Sequence, residues 1–149
     1  MQNENNLENI AQNLMATFPL IFKKLLKKEE SGICKNLTPS HTQIMCLLEN
    51  FGSMPISEIG KKLCISPPNM TPLIDKLIEE NLVERIPNSR DRRIVNINLT
   101  DKGKEFLKKY KESIVNNLKS KLSDLTEEEQ AELNTILGRL KEIILKISE

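Results

Sequence analysis

The 149-residue chain contains no tryptophan, one tyrosine, four phenylalanines, one histidine and five glycines. So few aromatic residues and glycines leave little room for an all-β fold. The three cysteines, Cys34, Cys46 and Cys64, form an odd set with no close pair and no CxxC, so neither a disulfide framework nor a zinc site is indicated. His41 has no carboxylate or thiol at metal-ligand spacing and reads as structural or solvated. Long apolar runs are missing as well. Nothing approaches the ~18 residues of a membrane span, and the opening MQNENNLENIAQNL has neither the basic nor the apolar part of a secretion signal. The chain is therefore expected in the cytoplasm, without a membrane partner. A Gly-rich phosphate loop, a metal cluster and a local Ser/His/Asp or Cys/His signature are all lacking, so neither enzymatic activity nor a cofactor or metal is expected. A strong net charge is lacking too: 22 Lys+Arg oppose 21 Asp+Glu. Any attraction to a polyanion must come from how that charge is distributed.

What is present is rich in Leu, Ile, Lys, Glu and Asn, at a length that suits one domain with oligomerisation appendages. From Leu7 to Leu26 apolar residues recur at three- and four-residue steps, which predicts an amphipathic helix that Pro19 bends or restarts. Ser31 to Asn36 reads as a connector. Thr38-Pro39 offers an N-cap and a first-turn proline for a second helix, which Phe51-Gly52 ends. A short third helix is expected from a Ser57 cap. A fourth runs from about Pro67 to Glu80, with Met70, Leu73, Ile74, Leu77 and Ile78 as its buried face.

The period then changes. Leu82 to Ile86 and Ile94 to Leu99 alternate apolar and polar residues around the tip Pro87-Asn88-Ser89-Arg90-Asp91-Arg92-Arg93, which predicts a hairpin. Thr100-Asp101 caps a long helix, and Thr126 to Glu129 forms a capping box for the last one. The fold class is mainly α with a small β-hairpin wing. A winged helix-turn-helix lobe is expected at 37–100, between an N-terminal dimerisation helix and connector at 1–36 and C-terminal dimerisation helices at 101–149. The flanking helices carry more apolar stripe than so small a lobe can cover, so its natural destination is a second copy in a homodimer.

Charge divides along the chain. Residues 81–121 carry eleven basic and five acidic groups, whereas 122–149 carry three and seven. Arg85, Arg90, Arg92, Arg93, Lys102, Lys104, Lys108 and Lys109 are expected to form a positive surface beside the fourth helix. An arginine on a narrow β-ribbon is slim enough for the minor groove, and Asp91 is placed to fix its direction. On spacing alone, an ordinary solvated turn is an equal reading of this tip. Pro68, Asn69, Thr71, Pro72, Asp75, Lys76 and Glu79 form the outward face of the fourth helix, with Ser66 at its start; Ser66, Pro68, Asn69, Thr71, Pro72 and Lys76 are the expected DNA-binding residues. There hydroxyl, amide and ammonium groups, with free N–H groups at the helix start, suit phosphate and base edges. Cys46 and Cys64 neighbour apolar residues and read as buried, leaving Cys34 in the connector as the exposed candidate for an oxidant sensor.

Several ordered blocks together resemble the MarR family of bacterial transcription regulators. They are Leu37-Thr38 with Gln43, the run Ile56 to Leu63, the run Asn69 to Leu77, Leu82-Val83-Glu84-Arg85, and Asp91-Arg92-Arg93 through Leu99-Thr100-Asp101-Lys102-Gly103. The resemblance implies a homodimer that binds pseudo-palindromic double-stranded DNA, commonly as a repressor released by a small-molecule effector or an oxidant. It implies that Arg93 is the minor-groove arginine, Asp91 its organiser, Arg92 a neighbouring backbone contact, and Thr71 a residue close to the bases, while Arg90 is counted with the DNA-binding residues for its place in the basic tip. Pro72 departs from relatives that place a long basic side chain there. The family's ligand crevice would be walled here by Phe18, Phe22, Met45, Phe51 and Tyr110. The competing readings are a winged helix adapted to protein interaction without specific DNA binding, and a redox-responsive regulator using Cys34.

Overall fold

The computed structural model describes residues 2–26 and 36–147. Most of the expected connector, Cys34 included, lies outside the described residues, so the redox reading of Cys34 has no structural counterpart here. The described chain runs α1 (Gln2–Ile21), a π-helical turn (Phe22–Leu26), α2 (Pro39–Phe51), β1 (Met54–Pro55), α3 (Ile56–Leu63), α4 (Pro67–Glu79), β2 (Val83–Pro87), β3 (Val95–Leu99), α5 (Asp101–Leu122) and α6 (Glu127–Ile144). It divides into two compact units, Met1–Lys27 with Ile114–Glu149, and Lys28–Ser113. The division falls inside α5 and not at its start, because Leu107 on the first half of that helix is a fully buried member of the second unit's core.

Local chemistry accounts for most element ends in the second unit. Thr38 precedes α2 in extended conformation and Pro39 supplies its first turn. The Nδ1 of His41 accepts the Thr38 backbone N–H at 2.9 Å and lies 2.8 Å from the Thr38 hydroxyl, so a histidine occupies the place usually taken by Glu in a capping box. Gly52, at φ 80°, ends the helix in a backbone conformation that side chains disfavour. After Ser53, Met54 and Pro55 form a strand that sequence periodicity does not predict. Met54 pairs with Ile97 and Pro55 with Asn96, which adds β1 to the expected hairpin and gives a three-stranded antiparallel sheet in the order β1-β3-β2. Because Pro55 closes this strand and serves as the N-cap of α3, Ser57 lies inside the helix and does not cap it. Hairpin register runs from Val83 opposite Leu99 to Pro87 opposite Val95.

The core joins Ile44, Met45 and Leu48 of α2, Ile59 of α3, Met70, Ile74 and Leu77 of α4, Val83, Ile97 and Leu99 of the sheet, and Leu107. Two glycines permit close approach. A Cβ on Gly60 would lie 3.0 Å from the Ile65 carbonyl oxygen and 3.2 Å from Met70, where the turn folds α4 back over α3. One on Gly103 would overlap the Leu82 carbonyl oxygen and sit 2.8 Å from Leu99, so α5 can enter only without a side chain there.

In the first unit Pro19 lies inside α1, and the ladder widens to π geometry from Phe22. A proline removes one helical donor and crowds the preceding turn, and such irregularities are taken up by locally widened turns. α6 starts from the predicted capping box: the Thr126 hydroxyl accepts Glu129 N–H at 3.2 Å while the Glu129 carboxylate accepts Thr126 N–H at 2.9 Å. Leu7, Ile10, Leu14 and Phe18 along α1, and Ile136, Leu140, Ile143 and Ile144 along α6, are exposed in the single chain. Among the described residues no helix is long and apolar enough to cross a membrane.

Candidate nucleic-acid interface

The wing tip is held by short side-chain-to-backbone bonds. The Asn88 carboxamide oxygen accepts the N–H groups of Arg90 at 2.9 Å and Asp91 at 3.2 Å, and its amide nitrogen donates to Asn96 on β3 at 3.3 Å. Asn88 was not among the residues singled out by sequence; an asparagine that opens a turn after a strand is the signal that points to it. Ile94 N–H then donates to the Asp91 carbonyl and Asn88 N–H to the Ile94 carbonyl, closing the loop. Asp91 accepts three bonds from Arg93, from its backbone N–H at 3.0 Å and from Nε and a terminal nitrogen at 3.1 Å each. The Arg93 guanidinium beside it holds the Asp91 carboxyl below its ordinary range. The arginine itself remains 91% exposed, so its charge is aimed without being buried. Arg90 and Arg92 are exposed and have no ion-pair partner among the described residues.

A second ion pair connects the wing to α4: Arg85 on β2 donates to Asp75 at 2.9 Å. The far end of α4 is fastened by the segment after the hairpin. Lys102 donates to the Glu80 carbonyl at 2.7 Å and the Thr100 hydroxyl to the Asn81 carbonyl at 2.7 Å, while the same hydroxyl caps α5 by accepting Gly103 N–H at 3.0 Å. Lys102, counted by sequence in the positive surface, thus acts as a cap for the C-terminal carbonyls of α4. Lys104 and Lys109 pair loosely with Asp101 and Glu105 on their own helix.

The outward start of α4 differs from expectation in one respect. Ser66 is the N-cap, exposed, with no side-chain capping bond, and Pro68, Asn69, Thr71 and Pro72 are all exposed. The N–H groups expected to face an anion are not free. Pro67 and Pro68 have none, and those of Asn69 and Met70 both donate to the Ser66 carbonyl at 3.0 Å. Lys76 is also occupied, by Glu79 at 2.9 Å and Glu80 at 3.1 Å, and these carboxylates raise its pKa above the ordinary value.

The thiols are placed differently from each other. Cys46 is half-buried, and burial pushes its thiol pKa up. Cys64, expected to be buried, is exposed, because it caps α3 in the left-handed region at φ 54° and so turns away from the Leu63 and Ile65 that flank it. Of the residues expected around an effector, Phe18 and Phe22 are exposed in the first unit. In the second, Met45 is wholly enclosed in the core, Phe51 is exposed with the Lys62 ammonium 5.1 Å from its ring centroid, and Tyr110 stacks on Phe106 at 6.4 Å.

Comparison with known proteins adds to this geometry. The MarR family model matches residues 37–95. The HTH-type transcriptional repressor MdtR of Bacillus subtilis (strain 168) is 30% identical over 137 residues, covering 90% of this chain and 84% of its own. The HTH-type transcriptional regulator PecS of Dickeya dadantii is 36% identical over 85 residues, 57% of this chain and 51% of the relative. Among solved structures, the YusO protein of Bacillus subtilis aligns over 93% of this chain and 96% of its own with a TM-score of 0.62 at 29% identity. The transcriptional regulator Tm0710 of Thermotoga maritima does so over 95% and 96% with a TM-score of 0.67 at 24% identity, a likeness of fold.

Proposed function

The chain belongs to the MarR family of DNA-binding transcriptional regulators, and we propose that it acts as a homodimeric repressor on a pseudo-palindromic operator, released by a small-molecule effector. The observation that carries the reading is Arg93, held at three points by Asp91 yet 91% exposed at the tip of the wing. Pre-aligned in this way, it enters a narrow minor groove with little loss of side-chain freedom, while α4 lies in the adjacent major groove. Arg90 and Arg92 add phosphate contacts, as does the Ser66 hydroxyl. Repression is proposed from the relative named as a transcriptional repressor.

Homodimer formation is supported by the apolar stripes of α1 and α6, which the single chain leaves exposed. In the first unit, the exposed aromatic surface of Phe22 suits an apolar effector. The test is footprinting of the full chain on genomic fragments with sedimentation in parallel. The expected result is a protected site with two half-sites about one helical turn apart, bound by a dimer that Leu140→Asp or Ile144→Asp dissociates. A wild-type monomer, or a single unrepeated half-site, overturns the dimeric operator.

A further inference from the structure

Three of the chain's seven prolines, Pro67, Pro68 and Pro72, lie on one helix, α4, and all three are exposed. Helical spacing brings Pro68, Thr71, Pro72 and Asp75 onto a single face, with Asn69 one turn from Pro72. The composition of this face decides what it can read. It offers no cation: the stretch 66–75 has no Lys or Arg, and the helix's one basic residue, Lys76, is bound by Glu79 and Glu80. Bidentate recognition of guanine O6 and N7 needs such a cation. It offers no free N–H to a phosphate, for the reasons given above. Asp75 would oppose the backbone, but Arg85 neutralises it. What remains is two prolyl rings and the Thr71 methyl as apolar surface, with the Asn69 carboxamide and Thr71 hydroxyl beside them. No hydrogen bond engages either polar group among the described residues.

In the major groove, apolar surface is matched by the C5 methyl of thymine, and a free carboxamide is matched by adenine, whose N6 and N7 present a donor and an acceptor side by side. We infer that α4 selects A·T pairs at the centre of each half-site, with thymine methyls seated on Pro68, Thr71 and Pro72 and an adenine edge held by Asn69. This rests on the operator reading above and specifies its sequence. The specificity is unusual in origin. It comes from groups that add almost nothing to non-specific attraction, so affinity falls to the wing arginines and discrimination to α4.

The experiment is enrichment of bound sites from a random duplex pool by the full-length chain, followed by replacement of each thymine facing α4 with deoxyuridine, which removes only the methyl group. The enriched half-sites are expected to carry A·T pairs under α4, and wild-type affinity to fall about fourfold for each seated methyl removed, hence roughly fifteenfold when one such methyl is removed from each half-site. Pro72→Ala, which removes a proline from a helix interior and is not expected to impair folding, should shrink the deoxyuridine effect to about twofold or less. Asn69→Ala should relax the adenine preference at one fixed position. Enriched sites with G·C pairs under α4, or wild-type indifference to deoxyuridine, overturn the inference while leaving operator binding intact. A pool with no enrichment at low salt overturns operator binding itself, and this inference with it.

Discussion

Asp75 on α4 and Arg85 on β2 meet at 2.9 Å, a direct ionic link between that helix and the wing. Both side chains are about half exposed, at 57% and 50%, so solvent screens the pair and its worth to stability is small. Its electrostatic effect is larger, because it offsets a carboxylate on the exposed face of α4 that would otherwise oppose a phosphate backbone. Arg85→Gln is therefore expected to leave the melting temperature within a few degrees while weakening operator binding about tenfold. A double-mutant cycle with Asp75→Asn, read by fluorescence anisotropy on operator DNA, should show strong coupling between the two positions. Additive losses would mean that the residues act separately.

The wing tip supports a graded prediction. Arg93→Ala removes the aimed charge and should cost about 1–3 kcal/mol in DNA affinity and lower the salt-dependence slope by about one. Asp91→Asn keeps the arginine but loses its ionic hold, so an intermediate loss is expected with the slope unchanged. The sign of the pH dependence follows from the lowered Asp91 pKa: the hold is complete above the ordinary carboxylate value and is lost only as pH falls through the lower native one. Binding measured from neutral to mildly acidic pH should therefore show no decline attributable to Asp91.

The helical part of this architecture was legible because its signals are local. Thr38-Pro39, Thr126 with Glu129, and the three- and four-residue steps of apolar side chains each act within a turn or two. β1 was not legible, since a two-residue strand is defined by its pairing with Ile97 and Asn96, more than forty positions away. Cys64 was misjudged for a related reason. Its apolar neighbours argue for burial, but it is the left-handed C-cap of α3 and is exposed, a backbone conformation that neighbouring residue types do not reveal. At the interface the residue types were readable and their partnerships were not: Lys76 and Lys102 read as free cations, and both are taken up within the protein.

Gly103 gives the sharpest stability prediction. A Cβ there would overlap the backbone oxygen of Leu82, an atom fixed by the Thr100 N–H and hydroxyl bonds to the same carbonyl at 3.1 Å each. The obstructing Leu82 atoms are backbone and cannot move aside at little cost, and the Leu99 side-chain methyl beside them is packed in the core. Gly103→Ala should destabilise by about 3 kcal/mol or more, lowering the melting temperature by roughly 10 °C. At Gly60 the obstruction is milder, at 3.0 and 3.2 Å, and one neighbour is the adaptable side chain of Met70. Gly60→Ala should cost about half as much. Calorimetry of the two variants checks the order; equal costs would count against this account.

His41 makes the second unit sensitive to mild acid. The imidazole is buried, and its Nδ1 accepts from the cap of α2. Its Nε2 is enclosed without a hydrogen-bond partner among the described residues. Burial first, and then the nearby Lys76 charge, lowers its pKa below the ordinary 6.5. The native state therefore resists a proton that the unfolded chain accepts. Stability is fully present above about pH 6.5 and declines as pH falls from there toward the lower native pKa. Denaturant midpoints should therefore fall in the wild type as pH is lowered from about 7.5 to 5.5. His41→Asn retains an acceptor within reach of the Thr38 N–H but does not titrate, so its profile should be flat over the same interval. A wild-type profile just as flat would show that the ring takes up its proton in place.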